Sequence, residues 1–216
     1  MAVQERVRMA ADRAGRDPRE VTILAVTKTS PVERVREAMT MGLRLFGENR
    51  VQEAISKIEE IGTTDASWHL IGHLQTNKVR FIEGRFAMVQ SIDSLGLVAA
   101  LDRRLQQALE VLVEVNIAGE AQKTGSPLTD VAAIVDAIER SSKLRLQGFM
   151  TIAPIAADPD TVRPVFRRLR AIRDESAERL GRMLPVLSMG MSDDYAVAVE
   201  EGSTMLRLGR ALFGPR

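Results

Sequence analysis

The sequence predicts a single-domain (β/α)8 TIM barrel spanning residues 1–216, an α/β fold of parallel strands closed by helices. Two observations carry that prediction. Eight short apolar runs, several of them rich in Val and Ile, recur along the chain, and a helical pattern follows almost every one after a brief connection. No Pro/Gly/Ser-rich linker, composition shift or low-complexity tract divides the chain, so one domain is expected rather than two.

Residues 1–15 read as a lead-in helix, with Val3, Val7, Ala10 and Ala14 at helical spacing, Gly15 as the stop and Pro18 just beyond. Val21 to Val26 form the first strand, and Lys28 stands just past its carboxyl end. Ser30, Pro31 and Glu33 then suggest an N-cap, a first helical residue and the glutamate of a capping box. Val32, Val35, Ala38 and Met39 line that helix, which stops at Gly42. Leu43 to Phe46 are the second strand, and GENRVQE opens a helix running to Ile61 and Gly62.

Trp68 to Ile71 make the third strand, closed by Gly72, with a helix over Gln75 to Ile82. Phe86 to Gln90 are the fourth, followed by a helix with Asp93 as its N-cap. Glu110 to Asn116 are the fifth, a plain Val/Leu run, and a polar loop leads to a helix begun by Ser126 and Pro127. Leu144 to Met150 are the sixth, after which Asp158 and Pro159 start the longest helix, ending near Gly181. Pro185 to Met189 are the seventh, with Ser192 capping the next helix, and Met205 to Leu208 are the eighth.

Composition narrows the function. A net charge of +1 argues against a generic nucleic-acid binder, and Arg167, Arg168 and Arg170 stand beside Asp174, Glu175 and Glu178 on one long helical pattern, as a solvated, ion-paired face does. With no cysteine, disulfides, thiolate metal sites and thiol nucleophiles are excluded. No apolar run reaches the length of a membrane span, so a cytoplasmic protein is expected. His69 and His73 are four apart, but a strand end and Gly72 intervene, and no metal site is expected. The glycines fit neither a Walker A loop nor a dinucleotide fingerprint.

The chemistry expected of the barrel mouth starts from Lys28, since ligands of parallel α/β folds sit at the carboxyl ends of strands. Phosphate in such barrels is bound by the loops after strands seven and eight. Those loops read LSMGMSDD and RLGRALFG, and offer Ser188, Gly190, Ser192, Gly209, Arg207 and Arg210. An amine at the mouth together with a phosphate cradle meets the needs of pyridoxal 5′-phosphate (PLP), and equally those of a Schiff-base aldolase acting on a phosphorylated substrate.

The motifs AVTKTSP, GENRVQE, WHLIGHLQTNK, VNIAGEAQKTG, LQGFMTI, LSMGMSDD and RLGRALFG occur in that order along nearly the whole chain. In this the sequence resembles the pyridoxal phosphate homeostasis proteins of the YggS/PROSC type, whose barrel is like the N-terminal domain of alanine racemase. The resemblance implies that Lys28 is the Schiff-base lysine and that Asn49 lies near the cofactor ring. It implies too that Ser188, Gly190 and Ser192 belong to the phosphate loop with Gly209, and that Arg207 faces the pyridine nitrogen. An arginine there does not readily give up its proton, which leaves the ring a poorer electron sink. The chain departs from the family pattern at Arg50, where an aromatic residue is common, and at Arg210, where Thr or Ser is. Arg210 is expected either to replace that hydroxyl electrostatically or to point away. Lys123 matches a lysine of possible secondary PLP contact, although a solvated loop lysine is the plainer reading.

The resemblance implies a carrier that buffers PLP or delivers it to PLP-dependent apo-enzymes, with no catalytic residue assigned, and the enclosed parallel strands, which leave no sheet edge to pair, make a monomer the expectation. The alternative is an amino-acid racemase. Two-base racemisation needs a second proton donor across the ring, and the chain's one tyrosine, Tyr195, is placed for packing.

Overall fold

A computed structural model describes residues 2–62, 64–120, 124–154 and 158–214. Its centre is a closed barrel of eight parallel strands in sequential order, β1 pairing with both β2 and β8. The strands are β1 (Thr22–Val26), β2 (Leu45–Glu48), β3 (Ser67–Leu70), β4 (Met88–Ile92), β5 (Leu109–Glu114), β6 (Leu144–Met150), β7 (Val186–Ser188) and β8 (Met205–Leu208). Around them lie α1 (Ala2–Arg13), α2 (Val32–Thr40), α3 (Val51–Ile61), α4 (Leu95–Arg104), α5 (Val131–Arg140), α6 (Pro159–Leu180), α7 (Tyr195–Glu200) and α8 (Arg210–Phe213). The barrel expectation is met strand for strand.

Alternation along each strand sorts side chains between two cores. Residues such as Phe46, Val89, Val111, Phe149, Leu187 and Leu206 face outward and join the helices in the main apolar core. The barrel lumen holds two smaller clusters, Leu24, Val26, Ile71 and Met205 in one and Met88, Leu112 and Met150 in the other. Apolar burial of this kind contributes about 25 cal/mol per Å2. The lumen is therefore a packed apolar plug.

Several helix starts differ from expectation. Pro31, not Ser30, holds the N-cap of α2, and no side-chain cap bond is made there. Asp93 does not cap α4; the Ser94 hydroxyl accepts from the Leu97 N–H instead, while Asp93 pairs with His73 at 2.9 Å. Ser192 caps neither end of α7, whose N-cap is Asp194. The segment after β3 is a 3-10 helix over Thr76–Phe81 rather than an α-helix. The longest helix keeps its expected punctuation, Asp158 accepting from the Asp160 N–H at its start and Gly181 in the left-handed conformation at its end. Arg168 pairs with Glu175 at 3.3 Å and Arg170 with Asp174 at 3.8 Å, as the charge pattern implied, whereas Arg167 turns off the helix to Glu201 at the end of α7 at 2.9 Å.

Candidate functional site

At the carboxyl end of the barrel a cavity of about 740 Å3 opens. Its wall takes Lys28 from the loop after β1 and Asn49 from the loop after β2; Met191 and Ser192 follow β7; Arg207 lies within β8, with Gly209 and Arg210 beyond its end. Six of the eight residues that the sequence singled out therefore line one cavity, Lys28 on one wall and Arg207 on the other. Ser188 and Gly190 do not line it.

Lys28 belongs to a tight turn in which the Ser30 N–H donates to the Thr27 carbonyl at 2.9 Å. The turn is strained: Thr29 has φ 60, a left-handed conformation unusual for a β-branched residue. Asn49 is placed by a close approach of two loops. A Cβ on Gly72 would lie 2.2 Å from the Asn49 carbonyl oxygen, so only glycine lets the loops after β2 and β3 pass.

Beneath the opposite wall lies a buried polar layer, one inward step beyond the apolar plug on β4, β5, β7 and β8. Arg207 follows Met205, Ser188 follows Val186, Gln90 follows Met88 and Glu114 follows Leu112, each by two residues. Arg207 donates to the Ser188 carbonyl at 2.7 Å, the Ser188 hydroxyl at 2.8 Å and the Thr151 carbonyl at 2.8 Å. The Ser188 hydroxyl donates to Gln90 Oε1 at 2.6 Å, and Gln90 Nε2 lies 2.9 Å from His69 Nδ1. The chain runs in one direction: guanidinium, hydroxyl, amide, imidazole. Gln90 Nε2 is a donor only, so His69 Nδ1 accepts and the ring proton sits on Nε2.

Burial lowers the His69 pKa to about 4, so the ring is neutral at physiological pH. Burial also lowers that of Arg207, to about 10, against the attraction of Glu114 and Asp194, and the guanidinium stays charged. Burial pushes the carboxyl of Glu114 upward, although the Thr124 hydroxyl donates to it at 2.6 Å. Asp194 is raised by the same cause and accepts the Met191 N–H. The two histidines turn to different partners, and among the described residues no His/Asp/Glu group is placed to hold a metal ion.

The remaining phosphate-loop candidates divide. The Ser192 hydroxyl accepts the Ala211 N–H at 3.1 Å and so joins the loop after β7 to the start of α8. Arg210 lines the cavity and pairs with Asp193 of that same loop. Gly190 has φ 96, and a Cβ there would meet Ala198 Cβ at 2.6 Å, so α7 packing alone requires a glycine. Gly209 is different: a Cβ would make only ordinary contact with Val26, at 3.4 Å or more. Packing does not demand that glycine, but close approach of an anion to the backbone would. Lys123 lies outside the described residues.

Sequence reasoning missed the polar layer and a second cluster behind Lys28. Glu48, Glu53 and Lys57 converge between β2 and α3, with Lys57 Nζ 2.7 Å from Glu48 and 2.8 Å from Glu53. The signal was available in part. Glu114 closes β5 in the inward register, where a polar residue at the carboxyl end of a barrel strand reads as functional.

The family model for the N-terminal domain of alanine racemase matches residues 1–216. A pyridoxal phosphate homeostasis protein of Aquifex aeolicus is 41% identical over 217 residues, covering 99% of this chain and 95% of that protein. The Escherichia coli protein of the same name is 39% identical over 221 residues, covering 99% and 94%. PipY of Synechococcus elongatus, solved with PLP bound, superposes with a TM-score of 0.84 at 34% identity, covering 98% of this chain and 100% of that one. Alanine racemase from Corynebacterium glutamicum, at 19% identity and TM-score 0.73, shares the fold over 100% of this chain and 61% of its own.

Proposed function

The chain belongs to the pyridoxal phosphate homeostasis proteins, within the alanine racemase N-terminal domain family, and from that membership we propose that it binds PLP at the barrel mouth and serves PLP homeostasis as a carrier. PLP supplies an aldehyde open to attack by an amine and a dianionic phosphate that brings binding energy. The residues present fit such a group. One cavity wall offers the Lys28 amine, and the other offers Arg207, Arg210, the Ser192 region and the unencumbered backbone of Gly209. That shared cavity is the observation that carries the reading.

Each residue then has a task. Lys28 would condense with the aldehyde, its nitrogen replacing the carbonyl oxygen, which leaves as water, and Asn49 would border the ring. Gly209 and Ser192 present the loops that receive the phosphate. Arg207 has donors left over after its bonds to Ser188 and Thr151, and it offers a hydrogen bond to the pyridine nitrogen without surrendering its proton. Ser188 acts one step back, by holding Arg207. Gly190 shapes the loop.

Storage and delivery suit this site better than turnover. Tyr195, the chain's one tyrosine, is buried on α7 beneath Arg6 at 5.2 Å and is absent from the cavity wall, so it is not placed as a second base. In our reading the barrel is one domain over residues 1–216, monomeric and cytoplasmic, and it hands PLP to apo-enzymes. The closed sheet supports a monomer, having no free strand edge to pair, and among the described residues no helix is long and apolar enough to cross a membrane.

Absorbance titration with PLP tests the proposal. Wild type should turn yellow and Lys28→Ala should not, and neither should sustain racemisation of L- or D-amino acids. A colourless wild type in excess PLP would sink the binding reading. Sustained Lys28-dependent turnover would replace the carrier with an enzyme.

A further inference from the structure

We infer that Lys57, with Glu48 and Glu53, is a positioning device that holds the backbone on both sides of Lys28 and so aims its amine into the cavity; this rests on the PLP-binding reading above. The cluster lies behind the site, between β2 and α3. Lys57 is buried, and its Nζ donates to the Thr27 carbonyl at 2.6 Å, to Glu48 Oε1 at 2.7 Å and to Glu53 Oε1 at 2.8 Å. The Thr27 hydroxyl donates to Glu48 Oε1 at 2.6 Å, and the Thr27 N–H to the Gly47 carbonyl at 3.1 Å. The Thr29 N–H donates to Glu53 Oε1. Both chain neighbours of Lys28 are thus tied to one ionic cluster.

A cluster that only docked α3 against β2 would not need these features. A buried carboxylate, a partly buried one and a buried lysine are costly to desolvate, and apolar residues of similar size anchor a helix as well or better. Glu48 Oε2 is buried and lacks a hydrogen-bond partner among the described residues, so the cluster is not tuned for stability alone. Its bonds go to the turn around Lys28, including the strained Thr29. Strain that persists at a ligand site is held by its surroundings, and it marks preorganisation. Burial works against ionisation of Glu53, but Lys57 and the Thr29 N–H outweigh it, so its carboxylate keeps the charge that grips the turn.

The test separates aiming from folding. Pyridoxamine 5′-phosphate keeps the ring and the phosphate but carries an amine in place of the aldehyde, and it cannot bond to Lys28. Purified full-length wild type, Lys57→Met and Glu53→Gln are titrated with PLP by absorbance and with pyridoxamine 5′-phosphate by calorimetry. Loss of a charged hydrogen bond to the turn should weaken PLP about tenfold in both variants and change pyridoxamine 5′-phosphate by less than about twofold. In the cofactor-free proteins the Thr29 amide should exchange with solvent about tenfold faster than in wild type. Unchanged PLP affinity, parallel weakening of both ligands or unchanged Thr29 exchange would each overturn the inference. Should Lys57→Met fail to fold, Glu53→Gln decides, since Glu53 is partly exposed. A wild type without the Lys28-dependent yellow band fails differently: it overturns the PLP reading itself, and the inference with it.

Discussion

The two walls of the cavity are held by different physics. Behind Lys28 stands an ionic cluster outside the barrel, with Lys57 shared between two carboxylates and a backbone carbonyl. Behind Arg207 stands a chain of neutral groups inside the barrel, Ser188, Gln90 and His69, anchored by one guanidinium. The ionic cluster grips a strained turn. The neutral chain is built from inward-facing side chains of β3, β4, β7 and β8. On the proposed reading the difference follows from what each wall presents: an amine that would bond to the cofactor's aldehyde carbon needs its backbone fixed, whereas a guanidinium facing the ring would need its proton count and direction fixed. Neutral donors and acceptors give direction in a buried layer without adding further charge to desolvate.

Removing the anchor of the neutral chain should give the largest effect. Arg207→Leu leaves the Ser188 hydroxyl and the Thr151 carbonyl without their donor, and it leaves Glu114 and Asp194 without the nearby cation. Breaking a buried charge arrangement from one side costs about 4 kcal/mol. Denaturant unfolding of the cofactor-free protein reads this directly. A loss below about 1 kcal/mol would mean that Arg207 is held by the strand alone and that the chain of hydrogen bonds contributes little.

The far end of the same chain sets a pH dependence. Unfolded, His69 binds a proton near its ordinary value of 6.5; folded, it does so only near 4. The unfolded state therefore binds more protons across that window, and stability falls as pH drops from about 6.5 towards 4, by up to about 1.4 kcal/mol per pH unit. Glu48, Glu114 and Asp194, raised by burial, push the other way, since they take up protons more readily when folded. Comparison with His69→Asn, which can still accept from Gln90, isolates the histidine. The wild type should lose up to about 3 kcal/mol more than the variant between pH 7 and 4, and parallel profiles would show that His69 titrates normally.

What the sequence reveals follows the same division. Periodicity and punctuation disclose the eight strands, the ends of α6, and the loops after β7 and β8, because local spacing determines them. Lys28 is legible as the residue past a buried strand, and Arg207 as the charged residue in the last one. The Ser30 cap is misread because a Pro–Val pair starts α2 one residue later and frees Ser30 to line the cavity. Ser192 is misread because its partner, Ala211, is distant in sequence. The Glu48–Lys57 contact joins a strand to the following helix across the inside of the fold, and the His69–Gln90–Ser188–Arg207 chain crosses four strands. Neither is a spacing pattern; the first needs α3 packed on β1 and β2, and the second needs distant strands brought together.

Thr29 offers the smallest and sharpest test of the ionic wall. A β-branched residue at φ 60 stores strain of about 1 to 3 kcal/mol, and glycine adopts that conformation freely while making the unfolded chain more flexible by about 0.5 to 1 kcal/mol. Thr29→Gly should therefore raise the stability of the cofactor-free protein by up to about 1 kcal/mol, or a few degrees in Tm. The Thr29 N–H survives the substitution, so its bond to Glu53 is retained. What changes is the stiffness of the turn, and PLP affinity should fall while stability rises. Opposite movement of the two quantities is the mark of strain kept for positioning. If both fall, the Thr29 side chain has a packing role and the left-handed turn is incidental; if both rise, the strain opposes PLP binding and the ionic cluster holds α3 rather than the lysine.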